Sequence, residues 1–265
     1  MQDLPLRFHR SPQARTRTAE IVFKSSATLL RDLLPSTSYR FTSKDTVAYA
    51  SFRLRSRTNP DRPGGLEHCS LSFYIHGIEY VKSTEEAIEG SYLAVMFEDS
   101  ADPLVEELGF PNVYSKIDVE TGSDSLTAVL SWNGATWARI TWPSLQQQQT
   151  ATVNRAVASE SPGAAGNVLV HRYIPGVGKR EDTITDTNYA VMFSSEGEGG
   201  MKLCRQVCTT PATVSFHSTD GERFPTLHHI VSRLAELPQI EIVKASIVDS
   251  KGGLDLRDGV RIEGV

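Results

Sequence analysis

The sequence has no excess of basic residues, no long apolar run and few cysteines. Its 27 lysine and arginine residues are outnumbered by 32 acidic residues, which gives a formal net charge of −5. A chain with a net negative charge does not attract nucleic acid or an anionic membrane surface, so we predict neither as a partner. No apolar run approaches the roughly 20 residues that a membrane-spanning helix requires. Hydrophobic residues nevertheless make up 39% of the chain, which is typical of a folded globular core.

The cysteine content does not fit a secreted, disulfide-linked protein. The chain has 3 cysteines, an odd number, and no Asn-x-Ser/Thr sequon. Residues 1–5 lack the order of a secretory signal, so we expect a cytoplasmic protein. Cys204 and Cys208 have C-x₃-C spacing, which differs from a zinc knuckle. We therefore predict that they are packing residues and that the protein binds no metal.

Three common catalytic signatures are also missing. No G-x-S-x-G pentad is present, so the sequence gives no support for a hydrolase-type serine nucleophile. Neither a G-x-G-x-x-G nor a Walker pattern occurs, so nucleotide binding is not predicted. We expect a protein without a cofactor.

Short β-strands are the commonest pattern along the chain. Residues 46–54 alternate, so that Ser51 and Arg53 share one face of a predicted strand. Asn133-Gly134, between two such runs, is a strong signal for a two-residue hairpin. Further β-branched or aromatic runs predict strands at 71–81, 92–97, 126–132, 136–142, 168–174, 189–193, 207–216 and 241–247.

Helical signals are short and few. Capping residues and apolar spacing predict helices within residues 25–35, 102–109 and 226–237. Many strands with few helices predict a mainly β (α+β) fold, in which a closed or strongly curved antiparallel sheet carries peripheral helices. The loop-like stretches are too short to separate two domains, so residues 1–265 are predicted to form a single domain.

The strand predicted at 71–81 carries two candidate proton-transfer groups. Strict alternation places His76 on one face with Tyr74 and Ile78, and Glu79 on the other face with Phe73. A carboxylate among apolar side chains is either buried, with a raised pKa suited to proton transfer, or a charge at the wet end of the strand. The sequence leaves both interpretations of Glu79 open.

Residues 90–117 resemble the acetoacetate decarboxylase family. That family has a G-x-Y strand, an M-Y-x-D-like strand end, a short helix that ends in R-E, and then G-F/Y-P-K-K. The residues that match are Gly90, Tyr92, Met96, Phe97, Glu106, Gly109, Phe110 and Pro111. The resemblance implies a cone-shaped, closed antiparallel β-barrel with an interior pocket for a small-molecule carbonyl substrate. It also implies a homo-oligomer.

The chain departs from this family at the catalytic lysine pair. Members that decarboxylate use a lysine of the K-K pair to form an imine, and here those positions hold Asn112 and Val113. The arginine of the motif is replaced by Val105. Lys116 lies four residues beyond Asn112, so in an alternating strand it would share the side of Asn112. An exposed or salt-bridged Lys116 is the alternative interpretation.

The resemblance and the residue types together give a set of candidate site residues. Glu106 matches the glutamate of the family motif, Glu67 or His68 falls near the family's first active-site carboxylate, and Asn112 is a candidate hydrogen-bond donor to an enolate oxygen. The candidate catalytic residues are Glu106, His76, Asn112, Glu67 and His68. The candidate substrate-binding residues are Tyr74, Met96, Phe110 and Lys116.

Three functions remain open at this stage. The first is a tailoring enzyme of polyketide-type secondary metabolism that cyclises, dehydrates, hydrates or cleaves a keto or enol compound by acid–base catalysis. The second is a true β-keto acid decarboxylase that uses Lys116. The third is a non-catalytic protein that binds a ligand in the old pocket.

Overall fold

The computed structural model describes residues 13–58, 67–83, 86–100, 110–123, 125–143, 166–174, 187–194, 202–208, 212–217, 220–252 and 259–262. The helices are α1 (Ala27–Arg31) and α2 (His228–Ala235). The strands are β1 (Arg15–Ser26), β2 (Tyr39–Phe41), β3 (Val47–Thr58), β4 (Glu67–Val81), β5 (Ala87–Glu98), β6 (Asn112–Tyr114), β7 (Lys116–Thr121), β8 (Ser125–Trp132), β9 (Ala135–Pro143), β10 (Asn167–Ile174), β11 (Thr187–Phe193), β12 (Lys202–Cys208), β13 (Thr213–Phe216), β14 (Glu241–Lys251) and β15 (Gly259–Ile262).

The strands form two sheets. The larger sheet has eleven strands in the order β12-β14-β1-β3-β4-β5-β10-β11-β15, with β2 paired to β4 and β6 paired to β5. The smaller sheet has four strands in the order β13-β9-β8-β7. The mainly β class is confirmed. Closure into a barrel stays a prediction, because no pairing joins β12 to β15 within the described residues.

The main core lies between one face of the larger sheet and the smaller sheet. The alternation of β3 and β5 turns Phe52 and Phe97 toward this core. The Phe97 ring lies 4.7 Å from the Trp137 ring of β9, and the Phe52 ring lies 5.8 Å from the Phe216 ring of β13. Aromatic packing therefore joins the two sheets.

The other face of the larger sheet carries polar side chains, and we call it the polar face. Residues paired across neighbouring strands point to the same side of a sheet. One such row runs from Glu20 through Arg53, Ser72 and Met96 to Asn112. The polar face comprises Glu20, Ser51, Arg53, Arg55, His68, Ser70, Ser72, Tyr74, His76, Met96, Glu98 and Asn112.

A β-bulge in β4 changes which residues face the core. Gly77 has a φ of +67°, and the register with β5 shifts between Ile75 and Ile78. Ile75 and Ile78 consequently both pack in the main core, while His76 stays on the polar face with Tyr74. The predicted common face of His76 and Ile78 is wrong, because strict alternation does not continue through the bulge.

Most predicted elements are present, with shifted ends. The helix within 25–35 is α1, whose N-cap Ser26 accepts a hydrogen bond from the Leu29 backbone N–H, and the helix within 226–237 is α2. The Asn133-Gly134 hairpin is confirmed, with φ values of 47° and 80°. The helix predicted at 102–109 lies outside the described residues.

One strand prediction is wrong, and one long strand was not predicted. The strand predicted at 207–216 is two strands, β12 and β13, which belong to different sheets. The sequence patterns did not predict β1, although it lies between β14 and β3 in the larger sheet. Within the described residues, neither helix has the length and apolar character needed to cross a membrane.

Candidate functional site

Asn112 occupies the motif's lysine position at the start of β6. The strand runs parallel to β5, with Asn112 beside Met96. The Met96 backbone N–H donates to the Pro111 carbonyl over 2.9 Å, which fixes this short strand against β5. The Asn112 side-chain Nδ2 donates a hydrogen bond of 3.2 Å to Glu98 Oε2. The position that holds a lysine in the family motif therefore holds an amide that contacts a carboxylate.

Glu98 accepts the hydrogen bond from Asn112, and its side chain is buried. It ends β5, two residues after Met96, so strand alternation places it on the polar face. Only 3% of the residue is exposed. Its Oε1 lies 3.4 Å from His68 Nε2, within ion-pair distance, but makes no hydrogen bond of good geometry with any described residue. Glu98 Oε1 is therefore buried and faces the His68 ring.

His68 lies in β4 beside two carboxylates. Its Nδ1 is 2.7 Å from Ser100 Oγ and 3.5 Å from Asp99 Oδ1. Asp99 first, and then Glu98, raise the pKa of His68 to about 9, so the imidazole is a cation at neutral pH. The buried carboxylate of Glu98 therefore lies between the amide of Asn112, which donates a hydrogen bond to it, and the imidazolium of His68.

A second ion pair lies further along the polar face. Arg53 donates to Glu20 Oε1 from Nη2 over 2.7 Å and from Nε over 3.0 Å. Burial raises the pKa of Glu20, but the charge and hydrogen bonds of Arg53 outweigh it and leave that pKa lowered. The Arg53 guanidinium also sits 4.6 Å from the Tyr74 ring centroid. Arg53 is thereby fixed between a carboxylate and an aromatic ring.

His76 is buried between two serine hydroxyls. Its Nδ1 lies 2.8 Å from Ser91 Oγ and its Nε2 lies 3.0 Å from Ser51 Oγ. Burial lowers the pKa of His76 to about 4, with a further lowering by Arg53 that Glu20 opposes. His76 is therefore a neutral imidazole at physiological pH, in which one ring nitrogen donates a hydrogen bond and the other accepts one.

The polar face continues into an apolar cluster. Tyr74 packs with residues of β5, β10 and β11. Phe110, which precedes β6, stacks on Phe193 with ring centroids 5.0 Å apart. Met96 lies in the row between Ser72 and Asn112. Tyr74, Met96 and Phe110 thus lie beside the polar groups, and their role in binding a substrate stays a prediction.

Lys116 lies away from Asn112. Strand β6 ends at Tyr114, the backbone turns at Ser115, and Lys116 begins β7 in the smaller sheet. The Lys116 side chain is 63% exposed, and its Nζ pairs with Asp118 over 2.7 Å. The expected common side of Asn112 and Lys116 is therefore wrong, since the two residues belong to different sheets.

Three further candidates have different outcomes. Glu79 forms an ion pair with Arg40 of β2 at the edge of the sheet, so its interpretation as a strand-end charge fits the structure better than burial among apolar residues. Glu67 begins β4 opposite Thr58, but its side chain is not among the described groups. Glu106 lies outside the described residues.

Sequence reasoning missed the two carboxylates of the polar face. Glu98 follows Phe97 directly, so alternation along β5 would have assigned it to the face opposite the core. Glu20 lies in β1, a strand that the sequence patterns did not reveal. Arg53 was assigned to the correct face with Ser51, although its carboxylate partner was unknown.

A family model described as acetoacetate decarboxylase (ADC) matches residues 3–246. No curated protein matches the sequence.

Solved structures show the same fold. An acetoacetate decarboxylase from Legionella pneumophila is 17% identical, with coverage of 94% of this chain and 87% of that chain and a TM-score of 0.64. An acetoacetate decarboxylase-like enzyme from Sphingomonas wittichii RW1 is 13% identical, with coverage of 96% and 94% and a TM-score of 0.61. The enduracididine biosynthesis enzyme MppR, solved with the condensation product of pyruvate and imidazole 4-carboxaldehyde, is 11% identical, with coverage of 95% and 89% and a TM-score of 0.59.

Proposed function

The chain belongs to the acetoacetate decarboxylase family, as the resemblance of residues 90–117 indicated, and from that membership we propose an enzyme that acts on a small enolisable carbonyl compound without forming an imine. Its chemistry is proton transfer at the carbon next to the carbonyl group. One contact carries the proposal: the hydrogen bond from Asn112 to the buried Glu98 at the motif's lysine position.

Glu98 is suited to the role of general base. Its Oε1 faces the His68 imidazolium at 3.4 Å without a hydrogen bond of good geometry, so the carboxylate can take a proton from the α-carbon of a bound ketone. The electron pair of the broken C–H bond then moves to the carbonyl oxygen and gives an enolate. The amide of Asn112 and the imidazolium of His68 are the nearby donors that can stabilise the negative oxygen. Return of the proton to carbon or oxygen completes the reaction.

The same groups argue against decarboxylation through an imine. An asparagine amide is not nucleophilic, and Lys116 is exposed and paired with Asp118 in the other sheet. Enolisation without an imine is compatible with cyclisation, dehydration, hydration or carbon–carbon cleavage of a polyketide-type compound. We include these tailoring reactions of secondary metabolism in the proposal, together with a closed cone of strands around the polar face, a single domain over residues 1–265 and self-association.

Exchange of α-protons tests the proposal directly. The protein is incubated with 2-oxobutanoate in D₂O, and loss of the C3 proton signal is followed by NMR. We expect exchange with the unaltered chain and a loss of at least about 100-fold for Glu98→Gln, the usual scale of a general base. Glu79→Gln is the matched control. It removes a carboxylate of the same sheet that is paired with Arg40 of β2, and we expect it to keep the exchange rate of the unaltered chain.

Borohydride reduction separates this chemistry from its alternatives. We expect no mass increase when the protein is treated with ketone and borohydride, and unchanged exchange in Lys116→Ala. A trapped adduct on Lys116 would establish the decarboxylase alternative instead. Ligand binding without any exchange, in the unaltered chain and in Glu98→Gln alike, would establish a non-catalytic binding protein.

A further inference from the structure

Two histidines of β4 each have a serine hydroxyl at Nδ1, but their imidazoles differ in charge. Ser91 Oγ of β5 lies 2.8 Å from His76 Nδ1, and Ser100 Oγ lies 2.7 Å from His68 Nδ1. His68 is a cation at neutral pH, so it has no lone pair with which to take a proton from Ser100. His76 is neutral and keeps one unprotonated ring nitrogen. Of these two pairs, Ser91 and His76 are therefore the one that can act as nucleophile and base.

Ser91 is the hydroxyl beside His76 that a substrate can reach. His76 Nε2 lies 3.0 Å from Ser51 Oγ, but Ser51 is completely buried, whereas Ser91 is half-buried. In the tautomer that carries its proton on Nε2, His76 donates a hydrogen bond to Ser51 and accepts one from Ser91. Ser51 then holds the ring in place while Nδ1 faces the partly exposed hydroxyl.

The backbone of β5 fixes Ser91 between two strands. β5 lies between β4 and β10, and Ser91 pairs with Val168 of β10. A Cβ on the preceding residue, Gly90, would collide with the Asn167 carbonyl oxygen, so β10 can approach this closely because Gly90 has no side chain. Ser91 therefore stands on a rigid part of the sheet, which keeps its hydroxyl in register with the imidazole.

The neighbouring strands favour transient protonation of His76. The charged groups that act on it are Glu20 of β1 and Arg53 of β3, and its neighbour along β4 is the stacked ring of Tyr74. The Glu20 carboxylate has a larger effect than Arg53 and favours the imidazolium. Burial keeps the resting ring neutral, while Glu20 stabilises the cation that forms when His76 takes the Ser91 proton.

Apolar side chains lie beside Ser91. Leu93, two residues further along β5, packs with Tyr74 and Val170, and Val168 packs against the same cluster. An uncharged acyl chain suits these surroundings better than a charged group does.

We propose that Ser91 and His76 form an acyl-transfer site that takes the acyl group of an ester or thioester. The Ser91 oxygen attacks the carbonyl carbon, its proton passes to His76 Nδ1, and the bond from that carbon to the leaving oxygen or sulfur breaks. The leaving group takes the proton from His76 and departs as an alcohol or thiol. Water then attacks the acyl-serine and gives a proton to Nδ1. A carboxylic acid is released, and Ser91 regains its proton from His76.

This activity is independent of the proposed function. Ser91 and Glu98 are about 20 Å apart along β5, at about 3.3 Å per residue, and acyl transfer uses neither Glu98 nor Asn112. The chain lacks a G-x-S-x-G pentad, but pairs of a nucleophile and a base recur on unrelated folds and are recognised by their geometry.

A burst assay with p-nitrophenyl acetate tests the acyl transfer. The full chain is mixed with the ester, release of p-nitrophenolate is followed, and the acetylated residue is located by peptide mass spectrometry. We expect a burst of about one acetyl group per chain, on Ser91, and none in Ser91→Ala. His76→Asn should react at least about 100-fold more slowly, the usual scale of a general base. Ser100→Ala removes the serine beside the cationic imidazole, and as the matched control it should keep the burst.

The pH profile distinguishes a base from a purely structural histidine. Because burial lowers the pKa of His76 to about 4, the acetylation rate should be constant from pH 8 to about pH 5.5 and fall only below that. Glu20, whose pKa is lowered, and Arg53 keep their charges over this range. A rate that falls through pH 6.5 would indicate a histidine of ordinary pKa and overturn the assignment to His76.

The location of the acetyl group decides the remaining outcomes. Acetylation of lysines alone, a burst that persists in Ser91→Ala, or no acetylation of the unaltered chain overturns the acyl-transfer site. If Ser91→Ala does not fold, peptide mapping of the unaltered chain and of Ser91→Cys, which should still be acetylated, gives the answer. Exchange of α-protons without acetylation of Ser91 removes this site and leaves the proposed function, and the converse result removes the proposed function alone.

Discussion

At the scale of single residues, two histidines of one strand have opposite environments. His68 lies beside the carboxylates of Glu98 and Asp99, which favour its charged form. His76 lies eight residues further along β4, enclosed by hydroxyl groups and apolar packing that favour its neutral form. Both belong to the polar face, so one face of one strand holds a cationic and a neutral imidazole at the same pH.

This difference predicts opposite effects of pH on stability. The folded pKa of His76 is about 4, below its ordinary value of 6.5, so the unfolded chain takes up a proton that the folded chain refuses as the pH falls from 6.5 to 4. Stability is lost in that range, by up to about 3 kcal/mol. The folded pKa of His68 is about 9, so its stabilising contribution is present below pH 6.5 and is lost as the pH rises to 9.

Urea unfolding between pH 4.5 and 9 checks both slopes. His76→Asn should flatten the acidic side of the curve of unfolding free energy against pH, and His68→Gln should flatten the alkaline side. The comparison uses slopes, since each substitution also changes packing. Curves that stay parallel to that of the unaltered chain would contradict these assignments.

At the scale of elements, local patterns predict strands better than they predict which strands pair. The alternation of 46–54 gave the correct faces of β3, because no bulge interrupts its pairing with β1. The hairpin at Asn133-Gly134 depends only on the two turn residues, so the sequence determines it locally. The bulge at Gly77 was missed because strict alternation was applied through the whole strand, although a glycine inside a strand often marks a bulge.

The candidate site shows the same limit. The motif identified Asn112, and strand periodicity was sufficient to place His76 and Tyr74 on one face. The position of Lys116 depends on Ser115, which is buried, accepts a hydrogen bond from Trp137 Nε1 and joins two sheets. That contact spans 22 residues of sequence, so no local pattern carries it.

The bulge of β4 predicts a specific cost of substitution. Gly77→Ala should lower the free energy of unfolding by about 1–2 kcal/mol, because an L-residue at positive φ brings its Cβ close to the following carbonyl oxygen. Space is not the obstacle, since the nearest atom to an added Cβ, Thr42 Oγ1, would be 3.5 Å away. Urea denaturation measures the effect. Gly221→Ala is the control, with no positive φ and its nearest contact at 3.9 Å, and equal losses in the two variants would refute the explanation.

At the scale of the whole molecule, the tryptophans report on only one of the two sheets. All 3 tryptophans of the chain lie in β8 and β9 of the smaller sheet, and Trp137 and Trp142 are fully buried. Trp142 Nε1 also donates to the Glu20 carbonyl of the larger sheet over 3.3 Å. Tryptophan fluorescence therefore follows the smaller sheet and its contact with the larger one, whereas far-UV circular dichroism follows the strands of both.

The single domain proposed for residues 1–265 can be tested with these two signals. If the shared aromatic core makes both sheets unfold together, the fluorescence and dichroism transitions in urea should coincide. Phe97→Ala should shift both midpoints by the same amount, at a cost of about 3–5 kcal/mol, because the Phe97 ring packs on Trp137 across the two sheets. Tyr173→Ala, at a residue that is 58% exposed, is the control and should change stability by less than about 0.5 kcal/mol. Two separate transitions, or a shift of the fluorescence midpoint alone, would mean that the sheets unfold independently and that the chain is not one cooperative unit.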